Sequence, residues 1–202
     1  MFKFKDIAKE YDKHVNDHIP NYSKVIQKTL SICSLYPYNS DIVDFGSANG
    51  QTLKILSNLG YNNLHGVEPI QEMIDISDSN IATYYNELPD IKFDIIIANW
   101  VLHFIKDKSN ILTKFYNSMS SSSTLILSEK VSTDLVIRKF YHNFKISNGL
   151  SKQQIENKER SLIGVMYLLS LTDYILLLNT IGFKTIEIID GDWGFVTLMI
   201  KK

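Results

Sequence analysis

Asp44–Phe45–Gly46–Ser47–Ala48–Asn49–Gly50 is the stretch whose residue types and spacing carry the most chemistry. Ile42 and Val43 ahead of it suit the end of a buried strand, because β-branched residues fit a pleated surface. Behind it, Leu53, Ile55, Leu56 and Leu59 set the apolar positions of a helix over Gln51–Leu59. A strand, a glycine turn and a helix in succession predict a nucleotide site at the carboxyl edge of a parallel sheet. The dinucleotide fingerprint G-x-G-x-x-G fails, since its second and third glycines would fall on Ala48 and Gln51. Asp44 would also repel a pyrophosphate seated on the helix N-terminus. The same carboxylate suits a cation, and S-adenosylmethionine (SAM) carries an ammonium and a sulfonium. Asp44–x–Gly46–x–Ala48–x–Gly50 has the form of a SAM-binding loop, with Asp44, Gly46, Ser47 and Gly50 as candidate contacts. An ordinary strand-to-helix turn is the alternative.

Further candidates follow in chain order. Glu68, roughly 20 residues past the loop, stands where a carboxylate accepts from both ribose hydroxyls. With Pro69 behind it, Glu68 also reads as the acidic start of a helix. Asn86, with Glu87 beside it, follows the strand predicted at Ile81–Tyr85, where the SAM-binding family that the loop resembles places the polar residue that reads the adenine edge. Asn99 and Trp100 close the clearest buried run, Asp94–Ala98, and so face the reacting methyl group. This is not Asn-Pro-Pro-Tyr, so methylation of exocyclic amines on DNA bases is not expected. His103 reads either as a general base or as the start of the next helix's buried face. His14 and His18 lie four apart, but Pro20 follows and no third ligand accompanies them, which favours a solvated helix end over a metal pair.

The elements that must position these residues come from a chain of 202 residues, 45% hydrophobic, with net charge −1 and one cysteine. That suits one domain over 1–202 with a sizeable core. No Lys/Arg run offers a grip on duplex nucleic acid. Cys33 alone fits a reducing, cytoplasmic setting. The most apolar segment, Tyr167–Leu178, is too short to span a membrane. Helices are predicted over 3–16 and from a Ser23 cap through Cys33, forming an N-terminal cap over 1–36. Strands are predicted at Leu64–Val67, Ile81–Tyr85, Asp94–Ala98 and Thr124–Leu127, with Gly60 capping the intervening helix and Ser120–Ser123 as a turn. Residues 131–170 break the alternation as a helical insertion. A helix over Thr172–Thr180 and strands at Lys184–Ile189 and Phe195–Lys201 close the chain, the last two joined by Asp190–Gly191–Asp192–Trp193–Gly194, whose Asp-Gly pair and short length favour an antiparallel pair. The sum is an α/β, Rossmann-like class I methyltransferase fold, seven-stranded and mostly parallel with an antiparallel last strand.

Longer segments carry a closer likeness. Pro20–Asn21–Tyr22–Ser23, the loop from Asp44, Leu127–Ser128–Glu129–Lys130, His142–Asn143–Phe144–Lys145 and Asn148–Gly149 resemble matching segments of the carboxy-S-adenosylmethionine synthases. That family prepares the carboxymethyl donor for tRNA wobble uridine, and the likeness covers most of the chain. It implies SAM or carboxy-SAM bound by Tyr22, Gly46, Glu68, Asn99 and a residue near Asn86, with Tyr22 as a lid. It implies a homodimer, prephenate as the source of carbon dioxide, and an arginine on the new carboxylate. Counting from Asn148–Gly149 without a gap places Lys158 on the family's lysine and Glu159 on its arginine, with Arg160 one place late. One helical position turns a side chain by about 100°, so Arg160 reaches the donor only if the backbone absorbs a residue. The first reading is thus a SAM-dependent methyltransferase with a small-molecule acceptor. Carboxy-SAM synthase comes second and an idle SAM-binding subunit third.

Overall fold

The computed structural model describes residues 11–202, with side chains from residue 13 onward. Helices α1 (Tyr11–His18) and α2 (Tyr22–Cys33) precede β1 (Asp41–Phe45), α3 (Gln51–Asn58), β2 (Asn63–Val67), α4 (Gln71–Ile74), β3 (Thr83–Tyr85) and β4 (Phe93–Asn99). A 3₁₀ turn (Leu102–Phe104), α5 (Lys108–Ser118) and β5 (Met119–Lys130) follow. Then come α6 (Leu135–Ser147), α7 (Lys152–Leu162), α8 (Leu171–Ile181), β6 (Thr185–Asp192) and β7 (Phe195–Lys201). The first part of the helix expected over 3–16 lies outside the described residues.

The strands form one sheet in the order β3-β2-β1-β4-β5-β7-β6. β1 to β5 run parallel, and β7 is antiparallel to both β5 and β6. Strand order reverses between β1 and β4, so a crevice opens at their carboxyl ends, where Gly46 and Asn99 lie. Alternation along the strands feeds two cores. Val43, Ile96, Leu125 and Leu127 pack with Leu112, Phe115 and Leu178 on one face. Ile42, Ile95, Ile97 and Ile126 pack with Ile32, Leu53 and Leu56 on the other. Gly60, at φ 105°, sends its N–H to Ser57 while Tyr61 reaches Leu56, so α3 ends as expected.

Three local expectations are corrected. Ser23 does not cap α2; Asn21 does, in the left-handed region with no side-chain cap bond. Ser120–Ser123 is no free turn, because β5 runs through it. Its register against β4 breaks between Phe93↔Met119 and Ile95↔Thr124, and the Ser123 hydroxyl donates to the Phe93 carbonyl at 2.7 Å. Of the connection expected over Asp190–Gly194, the Asp190–Gly191 pair stays in β6 and does not turn the last hairpin. Trp193 (φ 45°) and Gly194 (φ 83°) do, both with the positive φ that a tight two-residue hairpin demands. Asp190 stays in β6, held by Lys24 at 2.8 Å and Lys28 at 3.0 Å.

Candidate active site

The β1 turn is built by close approach. Gly46 has φ 80°, and a Cβ there would sit 2.6 Å from Val101. At Gly50, φ 73°, a Cβ would collide with the Tyr84 hydroxyl. Between them Ala48 takes φ 47°, an uncommon conformation for a residue with a Cβ. Its N–H donates to Glu68 Oε2 at 3.1 Å, while Glu68 Oε1 accepts from Ile70 N–H at 2.9 Å. Glu68 therefore ties the β1 and β2 loops together. A carboxylate has about four acceptor sites, so capacity remains for a ligand.

Two openings meet at this turn. A cavity of about 370 Å³ is lined by Gly46, Glu68, Pro69, Asn86, Glu87 and Asn99, with Trp100 and apolar walls from Ile70, Met73, Leu88 and Phe104. A smaller cleft adjoins it, lined by Tyr22, Asp44, Gly46, Ser47, Asn99 and Trp100. Every cofactor candidate lines one or the other except Gly50, which shapes the turn from behind. Asn99 Oδ1 accepts from Ser128 Oγ at 2.7 Å, and its Nδ2 is buried without a partner, as is Ser47 Oγ. Unsatisfied buried groups at the rim of a cavity fit a polar ligand that completes them. Burial, then the neighbouring Glu68, push the Asp44 carboxyl up to about 7. That is the environment a cation relieves.

Trp100 joins the two openings to a third. It holds φ 55°, its N–H donates to Ser128 O at 2.6 Å, and its ring stacks on Tyr22 at 5.0 Å. The Tyr22 hydroxyl donates to Gln51 Oε1 at 3.2 Å. On the far side, Trp100 and Phe104 wall a cavity of about 90 Å³ that also takes in His103, Lys130, Lys145, Lys158 and Glu159. Lys145 is only 2% exposed. Its ammonium and that of Lys130 lie 4.1 and 4.5 Å from the Tyr141 ring. Burial first, then the neighbouring Lys145, lowers Lys130 to about 8 and Lys158 to about 7, and burial lowers Lys145 itself to about 8 against the opposing pull of Glu159.

His14 and His18 line this cavity too, with rings stacked 4.2 Å apart. The expected solvated helix end is thus corrected: both rings are half-buried, and desolvation lowers them to about 3 and about 4. Nor is Arg160 brought to the site. α7 keeps its helical register, so Glu159 turns inward to His142 (2.6 Å) and Arg138 (3.6 Å). Arg160 points out, its side chain 73% exposed and 3.9 Å from Glu156. The three lysines and Glu129 were not singled out from the sequence as site residues. Lys130, Lys145 and Glu129 were signalled only by membership of the segments around Ser128 and Phe144, and Lys158 only by its count from Asn148–Gly149.

Sheet order and glycine-turn crevice define a Rossmann-like class I SAM-dependent methyltransferase fold. The comparisons agree, and a methyltransferase-domain family matches residues 20–188, so the chain belongs to that family. Among curated relatives, the carboxy-S-adenosyl-L-methionine synthase of Helicobacter hepaticus is 30% identical, covering 97% of this chain and 92% of its own. That of Staphylococcus epidermidis is 29% identical, covering 92% and 90%. Among solved structures, a SAM-dependent methyltransferase from Thermotoga maritima superposes with TM-score 0.70 at 18% identity, covering 98% of this chain and 97% of that one. A DhpI–SAH complex superposes with TM-score 0.64 at 13% identity, covering 98% and 92%. The chain is a SAM-dependent transferase, and SAM is its cofactor. No helix among the described residues is long and apolar enough to cross a membrane.

Proposed function

We infer that this enzyme methylates a small, acidic acceptor. The observation that carries the reading is the lysine-lined cavity of about 90 Å³ sharing Trp100 and Phe104 with the nucleoside-sized one. Its size suits a small molecule, and its ammonium groups suit a carboxylate or phosphate. SAM supplies an electrophilic methyl group there. Asp44 faces the cationic methionine end, Glu68 takes the ribose, and Asn86 or Glu87 reads adenine. Gly46, Ser47 and Gly50 give the close-fitting loop, Pro69 and Asn99 complete the walls, and Tyr22 with Trp100 covers the methionine end.

A second reading, carboxy-SAM synthase feeding tRNA wobble-uridine modification, is favoured by the names of the curated relatives. Against it, Glu159 and not Arg160 takes the inward place on α7, so the arginine that the likeness implies on the new carboxylate is turned away. A homodimer is the inferred assembly, and exposed Leu135 and Val136 on α6 give it an apolar face. Mass spectrometry of nucleotide released from purified protein tests the choice. SAM or its demethylated product is expected; carboxy-SAM would replace the first reading with the second.

A further inference from the structure

Glu129 is the least exposed carboxylate of the described chain, at 1%, and stands at the end of β5 beside the site. Three donors converge on it. Leu102 N–H reaches Oε1 at 2.9 Å, His103 Nδ1 lies 3.3 Å from the same oxygen, and the Tyr174 hydroxyl donates to Oε2 at 3.2 Å. The His103 backbone is pinned from the other side, where its carbonyl accepts from Tyr167 N–H at 2.7 Å. Lys108 bridges the Ile105 and Tyr167 carbonyls and locks the same loop. A loop that carries Trp100 and His103 is thus clamped on both sides, well beyond what packing a buried histidine needs.

The clamp sets the chemistry of the ring. Glu129 already accepts from Leu102 N–H and the Tyr174 hydroxyl, and as an acceptor toward the ring as well it places the proton between the pair on Nδ1. Nε2 is left with its lone pair. Among the described residues the ring makes no other hydrogen bond, and His103 lines the lysine cavity with Trp100. We propose that His103 Nε2 takes the acceptor's proton and that Glu129 is its positioning residue, fixing the tautomer and offsetting the imidazolium. This rests on the methyl-transfer reading. As the acceptor's N or O bonds to the methyl carbon, the carbon–sulfur bond breaks with its electron pair on sulfur. The acceptor's proton passes to Nε2. The lysines hold the acceptor's acidic group, and the carboxylate–imidazole pair is the familiar arrangement of a base oriented by a third group.

The test reads the ring itself. ¹⁵N NMR of histidine-labelled protein, with S-adenosylhomocysteine added, reports which nitrogen carries the proton. Wild type is expected to show the Nδ1–H form of His103. Glu129→Gln should mix in the Nε2–H form, and Tyr174→Phe, which spares the His103 contact, should not. An Nε2–H ring in wild type, or a tautomer indifferent to Glu129→Gln, overturns the proposal. In parallel, methyl-labelled SAM is incubated with a deproteinised small-molecule extract as the acceptor pool. His103→Gln and Glu129→Gln are expected to keep SAM affinity and lose label transfer by about 10²-fold or more; unaltered transfer also overturns it. A wild type that binds SAM but transfers no label sinks the methyltransferase reading instead, and the tautomer still decides the dyad.

Discussion

Asp44 enters binding in the wrong charge state below neutrality. Burial and Glu68 hold its carboxyl at about 7 in the unliganded protein, against the ordinary 3.8. The folded chain thus binds this proton more tightly than the unfolded one, so the group's contribution to stability falls as pH rises from about 4 to about 7. A cationic ligand needs the carboxylate and must expel that proton. SAM affinity is therefore expected to rise with pH, by up to about tenfold per unit below pH 7, then level off. Calorimetric titration across about pH 6 to 8 checks this, and Asp44→Asn should flatten the curve. Glu68 makes a separate prediction. Glu68→Ala should weaken SAM by about 1–3 kcal/mol, since ribose hydroxyls lose their acceptor. It should also lower folding stability, because Ala48 and Ile70 lose their N–H partner. Unchanged affinity in a folded variant would remove the ribose assignment.

At the scale of elements, the β1–α3 turn depends on Gly46 more than on any side chain. Gly46→Ala places a methyl against Val101 at φ 80°. It is expected to cost more than about 1 kcal/mol in denaturant unfolding and to loosen SAM binding with it; a variant as stable as wild type contradicts the close-approach account. This half of the site was legible in the sequence because it is local. One turn carries Asp44 to Gly50, and Glu68, Asn86 and Asn99 each end or follow a strand whose apolar run announces it. The lysine cavity was not legible for the converse reason. Lys130 comes from β5, Lys145 from α6, Lys158 from α7 and the histidines from α1, and no spacing links them. Turn chemistry failed where tertiary partners outweighed it. Asp190–Gly191 carries the stronger dipeptide signal, yet Lys24 and Lys28 hold Asp190 in the strand and the hairpin turns at Trp193–Gly194. The serine run looked like a turn because serines favour turns, and their hydroxyls instead bridge a break in the ladder.

The whole molecule separates two tasks across Trp100. On one side Asp44 and Glu68 line the openings at the glycine turn, and on the other three lysines line theirs; the proposed function assigns SAM to the first and an acidic acceptor to the second. The inferred homodimer makes its own prediction at this scale. Leu135→Glu should shift a dimer to monomer in sedimentation while preserving the fold; a wild-type monomer at micromolar concentration contradicts it. The central claim is that this is a SAM-using transferase in which Glu159 faces inward and Arg160 is turned away, so the guanidinium that the likeness implies for a carboxylated methyl group is not offered. Titration of wild type with SAM and with carboxy-SAM, side by side in one calorimeter, tests it most directly. SAM is predicted to bind at least as tightly as carboxy-SAM, and Arg160→Ala to leave the ratio unaltered. A strong preference for carboxy-SAM that disappears in Arg160→Ala would contradict the account.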